Sequence, residues 1–201
     1  MKKTIIGFGD SLTFGYGVGS GMSFIDKLAP PLSENFPSFE WKIINKGVNG
    51  DTTRDALFRL KEDVLDLKPD YVTILFGTND SSFNEDAYIS PFEFSANLNK
   101  IAASIKEIGA IPIFITPPPI IDSDFMPYNT NDRIEKYCSI ISEAAEKCSC
   151  PILDLNDFMS SFCGSSLEEL LQLDGIHINE KGYEIITEFI IGKLSNIIET
   201  K

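Results

Sequence analysis

The chain contains a single histidine, His177, so any mechanism that activates a serine with an imidazole has to use it. A serine hydroxyl is a poor nucleophile at neutral pH and needs an adjacent base, and histidine titrates near the working pH. Asp174 stands three residues before His177. That separation lets a tight turn fold the carboxylate back toward the imidazole, where it can fix the tautomer and stabilise the imidazolium. Acyl transfer also needs fixed donors for an oxyanion, and losing one such donor typically costs about 10²–10³ in rate. Gly50 is a position where backbone can approach a substrate closely, and Asn79 can offer an amide N–H without net charge. Taken singly, each residue has an ordinary structural reading. Ser11 can be a turn or helix-cap serine, Gly50 and Asn79 turn residues, Asp174-Gly175 a turn signal and His177 a surface or cap histidine.

The elements that must position these residues alternate along the chain. Short, β-branched and nearly continuous apolar runs at Thr4–Phe8, Lys42–Asn45, Tyr71–Phe76, Ile111–Thr116 and Pro151–Leu155 predict strands covered on both faces. Helical patterns fall between them, near Met22–Leu32, Thr53–Leu67, Phe92–Ile108 and Asn131–Lys147. The last, Glu180–Ile198, repeats apolar residues at Tyr183, Ile186, Ile190, Leu194 and Ile197. Pro69 and Gly109 act as stop signals. Such alternation predicts a parallel sheet with helices on both faces, and sites in such sheets form at the carboxyl ends of the strands.

Four blocks stand at those ends. Gly9-Asp10-Ser11-Leu12 follows the first strand and runs into a glycine-rich stretch, Gly15 to Gly19. Gly47-Val48-Asn49-Gly50-Asp51-Thr52 follows the second, Gly77-Thr78-Asn79-Asp80 the third, and Asp174-Gly175-Ile176-His177 precedes the last helix. In this order they resemble the SGNH hydrolases, also called the GDSL lipase/acylhydrolase family, from about Lys3 to Gly182. The resemblance implies Ser11 as nucleophile, with Asp174 and His177 completing a triad. It implies an oxyanion hole made of the Ser11 N–H, the Gly50 N–H and the Asn79 side chain. It also implies a flavodoxin-like three-layer α/β/α sandwich, with a five-stranded parallel sheet in the order 2-1-3-4-5. Residues 1–201 are expected to form one SGNH hydrolase domain. No cofactor is needed. The expected substrates are small soluble carboxylic esters with short acyl groups, acetylated carbohydrates first, with lysophospholipids or acyl-thioesters as the alternative.

Some neighbours are assigned to structure or to the pocket wall. Asp10 and Asp80 are expected to support the block turns by hydrogen bonding. Asp51 and Arg54 read as capping and surface charge, Trp41 as a packing anchor, and Glu168-Glu169 as a solvated helix face. The stretch Pro117-Pro118-Pro119-Ile120-Ile121 after the fourth strand, with Phe125, Met126 and Tyr128 beyond, is a candidate wall of the acyl pocket. Phe83 is another.

Other classes fit less well. The glycines at 15, 17, 19 and 21 do not match G-x-G-x-x-G, and no G-x-x-x-x-G-K-[ST] occurs, which disfavours a nucleotide or flavin module. A receiver-type domain would not explain Asn79 and His177 together. A non-catalytic ligand-binding relative would show a broken block, and a metal-dependent hydrolase has too few histidines. No G-x-S-x-G elbow brackets Ser11. A formal net charge of −13 argues against nucleic acid and anionic membrane surfaces as partners. The apolar run of the first residues stops at Asp10, too short for a secretory core, and no stretch reaches membrane-spanning length. With Cys138, Cys148, Cys150 and Cys163 read as thiols, a cytoplasmic location is expected.

Overall fold

The computed structural model describes residues 1–122, 128–162, 164 and 166–200. Five parallel strands, β1 (Lys2–Gly9), β2 (Glu40–Gly47), β3 (Tyr71–Leu75), β4 (Ile111–Ile115) and β5 (Ile152–Leu153), form one sheet in the order β2-β1-β3-β4-β5. Alternation along the strands sends Ile5, Tyr71, Ile113, Ile115 and Leu153 to one face and Ile6, Phe8, Val72, Ile74 and Phe114 to the other. The first face is covered by α2 (Ala29–Asn35), α6 (Leu155–Ser161), α7 (Leu167–Leu170) and α8 (Glu180–Glu199). The second is covered by α3 (Thr53–Asp63), α4 (Pro91–Glu107) and α5 (Asn131–Cys148). The expected three-layer architecture and strand order are thus observed. The chain reverses direction across the sheet between β1 and β3, which opens a crevice beyond their carboxyl ends.

Local departures have local causes. Residues 22–32 do not form the expected single helix: turns occupy Ser23–Leu28 and α2 begins only at Ala29. Pro30 and Pro31 lack N–H donors and fit only a first helical turn. α3 stops at Asp63, and Leu65–Leu67 continues as a 3-10 turn. β5 is shorter than expected because Asp154 turns the chain into α6, accepting the Asp157 N–H as its N-cap. Trp41 packs against the rings of Phe36, Phe39 and Tyr71, as an anchor should. Among the described residues no helix is long and apolar enough to cross a membrane.

Candidate active site

Ser11 opens α1 (Ser11–Phe14), a single helical turn directly beyond β1. Asp10 caps that turn, its Oδ1 accepting the Leu12 N–H at 2.9 Å. The turn lies against the end of β2 because residue 47 is glycine: a Cβ there would stand 2.1 Å from the Phe14 nitrogen. From the far side, Tyr183 of α8 donates its hydroxyl to the Leu12 carbonyl at 2.9 Å.

The Asp174–His177 block is a closed turn rather than a strand end. Leu171 and Ile178 bridge antiparallel across it, and the Gln172 N–H donates to the His177 carbonyl at 2.7 Å. Asp174 Oδ1 accepts the Ile176 and His177 N–H groups at 2.9 Å each. Its Oδ2 lies 2.7 Å from His177 Nδ1, and His177 Nε2 lies 3.0 Å from Ser11 Oγ. A carboxylate only accepts, so the proton belongs on Nδ1 and the Nε2 lone pair faces the serine. Burial alone would raise the Asp174 carboxyl. The His177 ring and the two amides outweigh it, and the net pKa is lowered.

Ser11, Asn49, Gly50, Thr78, Asn79 and His177 line one cavity of about 310 Å³, walled by Tyr16, Tyr128 and Ile176. Gly50 has φ +81°, a left-handed conformation that favours glycine, and a Cβ there would meet no other atom. Neither the Ser11 nor the Gly50 N–H meets an acceptor among the described residues. The Asn79 Nδ2 donates to the Asp51 carbonyl at 2.9 Å, and its Oδ1 accepts from the Tyr128 hydroxyl at 2.7 Å. The tertiary structure therefore gathers Ser11, Gly50, Asn79, Asp174 and His177 in one place. A neutral imidazole held in this way, beside backbone and amide donors, can take a proton from a hydroxyl that attacks a carbonyl.

The two buried acids beneath the site behave alike. Asp10 and Asp80 are both fully buried, and burial pushes each up to about 7. Asp80 Oδ1 accepts the Thr53 N–H at 2.8 Å and its hydroxyl at 2.6 Å, which ties the third block to the start of α3.

Of the residues expected at the pocket wall, Tyr128 lines the cavity, whereas Ile120 and Phe83 do not. Ile120 is buried in a cluster with Ile134 and Cys138, with Ile176 packed against it, and so lies behind the cavity. Apolar packing against α5 draws it inward. Its neighbour Ile121 instead donates its N–H to the Gly175 carbonyl at 2.8 Å, so this stretch supports the Asp174–His177 turn. Phe83 is half exposed, its ring held under the Arg133 guanidinium at 4.4 Å, and is not among the residues that line the cavity. Phe125 and Met126 lie outside the described residues. Asp51 is no mere surface charge either. With Arg59 it forms an ion pair, and Arg59 also donates to the Gly9 carbonyl at 2.9 Å and the Lys46 carbonyl at 2.8 Å. One guanidinium thus joins the first two blocks. Arg54 pairs with Glu93 at the surface, and Thr52 supplies the α3 cap. Glu168 and Glu169 are exposed on α7, as expected.

Tyr16, whose ring centroid stands 4.4 Å from that of His177, has no marker in the sequence beyond its place among glycines. Gln172 is equally unmarked; its Nε2 donates to the Tyr16 carbonyl at 2.7 Å and so joins the first and last blocks. Among the described residues, no three His, Cys, Asp or Glu side chains cluster closely enough to hold a metal ion.

Comparison with known proteins gives the family. The sequence profile of the GDSL-like Lipase/Acylhydrolase family matches residues 8–185. The chain belongs to that family. It is accordingly a carboxylic ester hydrolase of the GDSL, or SGNH, type. A solved lipase/acylhydrolase from Enterococcus faecalis is 34% identical, with a TM-score of 0.79 and 96% of each chain covered. The human isoamyl acetate-hydrolyzing esterase 1 homolog is 29% identical over 96% of this chain and 80% of its own. An acetylxylan esterase from Geobacillus stearothermophilus is 23% identical over 87% of this chain and 81% of its own. Its structure superposes with a TM-score of 0.77, and its catalytic mutants replace a serine, an aspartate and a histidine.

Proposed function

We propose that this GDSL hydrolase is a serine esterase working by two-step acyl transfer, within one domain of residues 1–201. The observation that carries the reading is the hydrogen-bonded line from Asp174 Oδ2 through His177 to Ser11 Oγ, at 2.7 and 3.0 Å. His177 Nε2 takes the Ser11 proton as Oγ attacks the ester carbonyl. The Ser11 N–H, the Gly50 N–H and the Asn79 Nδ2 hold the oxyanion. His177 then protonates the leaving alcohol, and the acyl-Ser11 ester is cleaved by water that His177 deprotonates. Asp174 keeps the imidazole oriented and balances its charge during both proton transfers.

The substrate we infer is a neutral ester with a short acyl group, and acetylated carbohydrate is the first candidate. The formal net charge of −13 repels anionic substrates such as phosphorylated thioesters. A cavity of about 310 Å³ walled by two tyrosines and an isoleucine leaves room for a small acyl group beside the serine. Both curated relatives described above are named for acetyl-ester substrates. Exposed Phe14, Val48 and Leu173 beside the blocks favour the alternative, a lysophospholipase or acyl-thioesterase. Free thiols at Cys138, Cys148 and Cys150 fit a reducing, cytoplasmic setting.

Hydrolysis of p-nitrophenyl esters tests both parts. Wild type should turn over the acetate, and Ser11→Ala and His177→Ala should each fall by about 10³-fold or more. Variants that match the wild type would sink the triad. Activity that rises beyond butyrate would replace the short-acyl reading with the lipid one.

A further inference from the structure

The Asn79 carboxamide is held by two contacts of opposite sense. Its Nδ2 donates to the Asp51 carbonyl at 2.9 Å, and its Oδ1 accepts from the Tyr128 phenol at 2.7 Å. A carbonyl only accepts, so the amide nitrogen has to face Asp51 and the oxygen has to face the phenol. One Nδ2 hydrogen is spent on Asp51. The second remains for the cavity that Asn79 shares with Ser11 and Gly50.

We propose that Tyr128 is a positioning residue of the oxyanion site, whose hydroxyl keeps the free Nδ2 hydrogen of Asn79 aimed at the reacting carbonyl oxygen. The inference rests on Asn79 being an oxyanion donor. The terminal torsion of an asparagine is broad and soft, so a carboxamide held at one end alone swings. Oxyanion stabilisation depends on donors that need no reorganisation when charge develops. Tyr128 supplies the second tether. By accepting the phenol proton, Oδ1 also draws density from the amide nitrogen and sharpens it as a donor.

Tyr128 is itself well placed to do this. Its carbonyl accepts the Phe83 N–H at 2.9 Å. Next to it, Asn129 Nδ2 donates to the Thr78 carbonyl at 2.9 Å and to Ser81 Oγ at 2.7 Å. Arg133 donates to the Ser81 and Ser82 carbonyls. The segment at Tyr128–Arg133 therefore grips the third block on both sides of Asn79. Burial raises the phenol pKa above its ordinary value, so the group stays a donor throughout the neutral range.

A double-mutant cycle with Tyr128→Phe and Asn79→Ala tests the idea, read by p-nitrophenyl acetate kinetics and by inhibition with phenylboronic acid, which forms a tetrahedral adduct on serine. Tyr128→Phe keeps the ring and removes one hydroxyl; kcat should fall about 10-fold, with KM within about twofold. Boronate affinity should fall in step with kcat/KM. Asn79→Ala should cost about 10²–10³. In the Asn79→Ala background, Tyr128→Phe should then cost less than about twofold, because the group it positions is gone. Equal losses in both backgrounds would overturn the proposal and make Tyr128 a wall or folding residue. So would an unchanged kcat in Tyr128→Phe alone. If Asn79→Ala itself leaves the rate intact, the oxyanion assignment fails first, and the role of Tyr128 with it.

Discussion

Asp80 places a pH-dependent cost on the folded state that one amide substitution removes. Its carboxyl is fully buried; Oδ1 takes both Thr53 donors, while Oδ2 has no partner among the described residues. Burial pushes its pKa up to about 7 from the ordinary 3.8, despite the opposing Thr53 hydrogen bonds. Between those values the folded state keeps a proton that the unfolded chain has released. The stabilising contribution is thus complete below the unfolded value, and it is lost as pH rises through the folded one, with no further loss above. At about 1.4 kcal/mol per pH unit, the loss integrated from pH 5 to pH 8 is about 2.5 kcal/mol. Asparagine offers Thr53 the same acceptor and carries no charge, so Asp80→Asn should lack this part of the dependence. Asp10, also pushed up to about 7 by burial, contributes its own share in both proteins and largely cancels in the comparison. Urea unfolding followed by Trp41 fluorescence at the two pH values reads the effect. With a slope of about 2–3 kcal/mol per molar urea, the wild-type midpoint should drop about 1 M further than that of the variant. The variant can be less stable at both pH values, because its amide nitrogen inherits the unpartnered position. Midpoints that fall in parallel would mean that Asp80 is ionised throughout in the folded protein, and the reasoning from burial would be wrong.

Two further outcomes follow from contacts around the blocks. Arg59→Ala strands the half-buried Asp51 carboxylate and the Gly9 and Lys46 carbonyls, leaves Asp63 to Lys46 alone, and should cost about 3–5 kcal/mol in urea unfolding; Arg59→Lys should recover only part, since one ammonium cannot span four acceptors. Gly47→Ala puts a methyl group 2.1 Å from the Phe14 nitrogen and has to push the turn that carries Ser11. A shift of about 1 Å there should lower kcat/KM on p-nitrophenyl acetate by about 10²-fold, whereas an unchanged rate would show that the turn moves without consequence.

Most of the fold was legible because parallel strands buried on both faces must be apolar nearly throughout, and β1, β3 and β4 read that way at once. Element ends were less legible, since capping at Asp154 and the two prolines of α2 decide them through single hydrogen bonds. The residues of the site were also marked locally: one histidine, an aspartate three residues earlier, and three blocks at strand ends. Nothing local, however, brings Ser11 within 3.0 Å of His177, which lies 166 residues away; the parallel sheet and α8 do that. The same holds for what supports the site. Tyr16 against His177, Tyr128 on Asn79 and Arg59 across two blocks are contacts between segments with no shared periodicity, so no pattern along the chain announces them. Ile120 shows the converse. Its type and place suited a pocket wall, but a proline-stiffened stretch can turn either face to the cavity, and packing against α5 chose the face that buries Ile120. The sequence by itself determined which residue types could do the chemistry and which three strand ends carry their blocks. Tertiary packing alone decided which unmarked neighbours hold those residues in place, because it sets distances that the chain's own spacing leaves free.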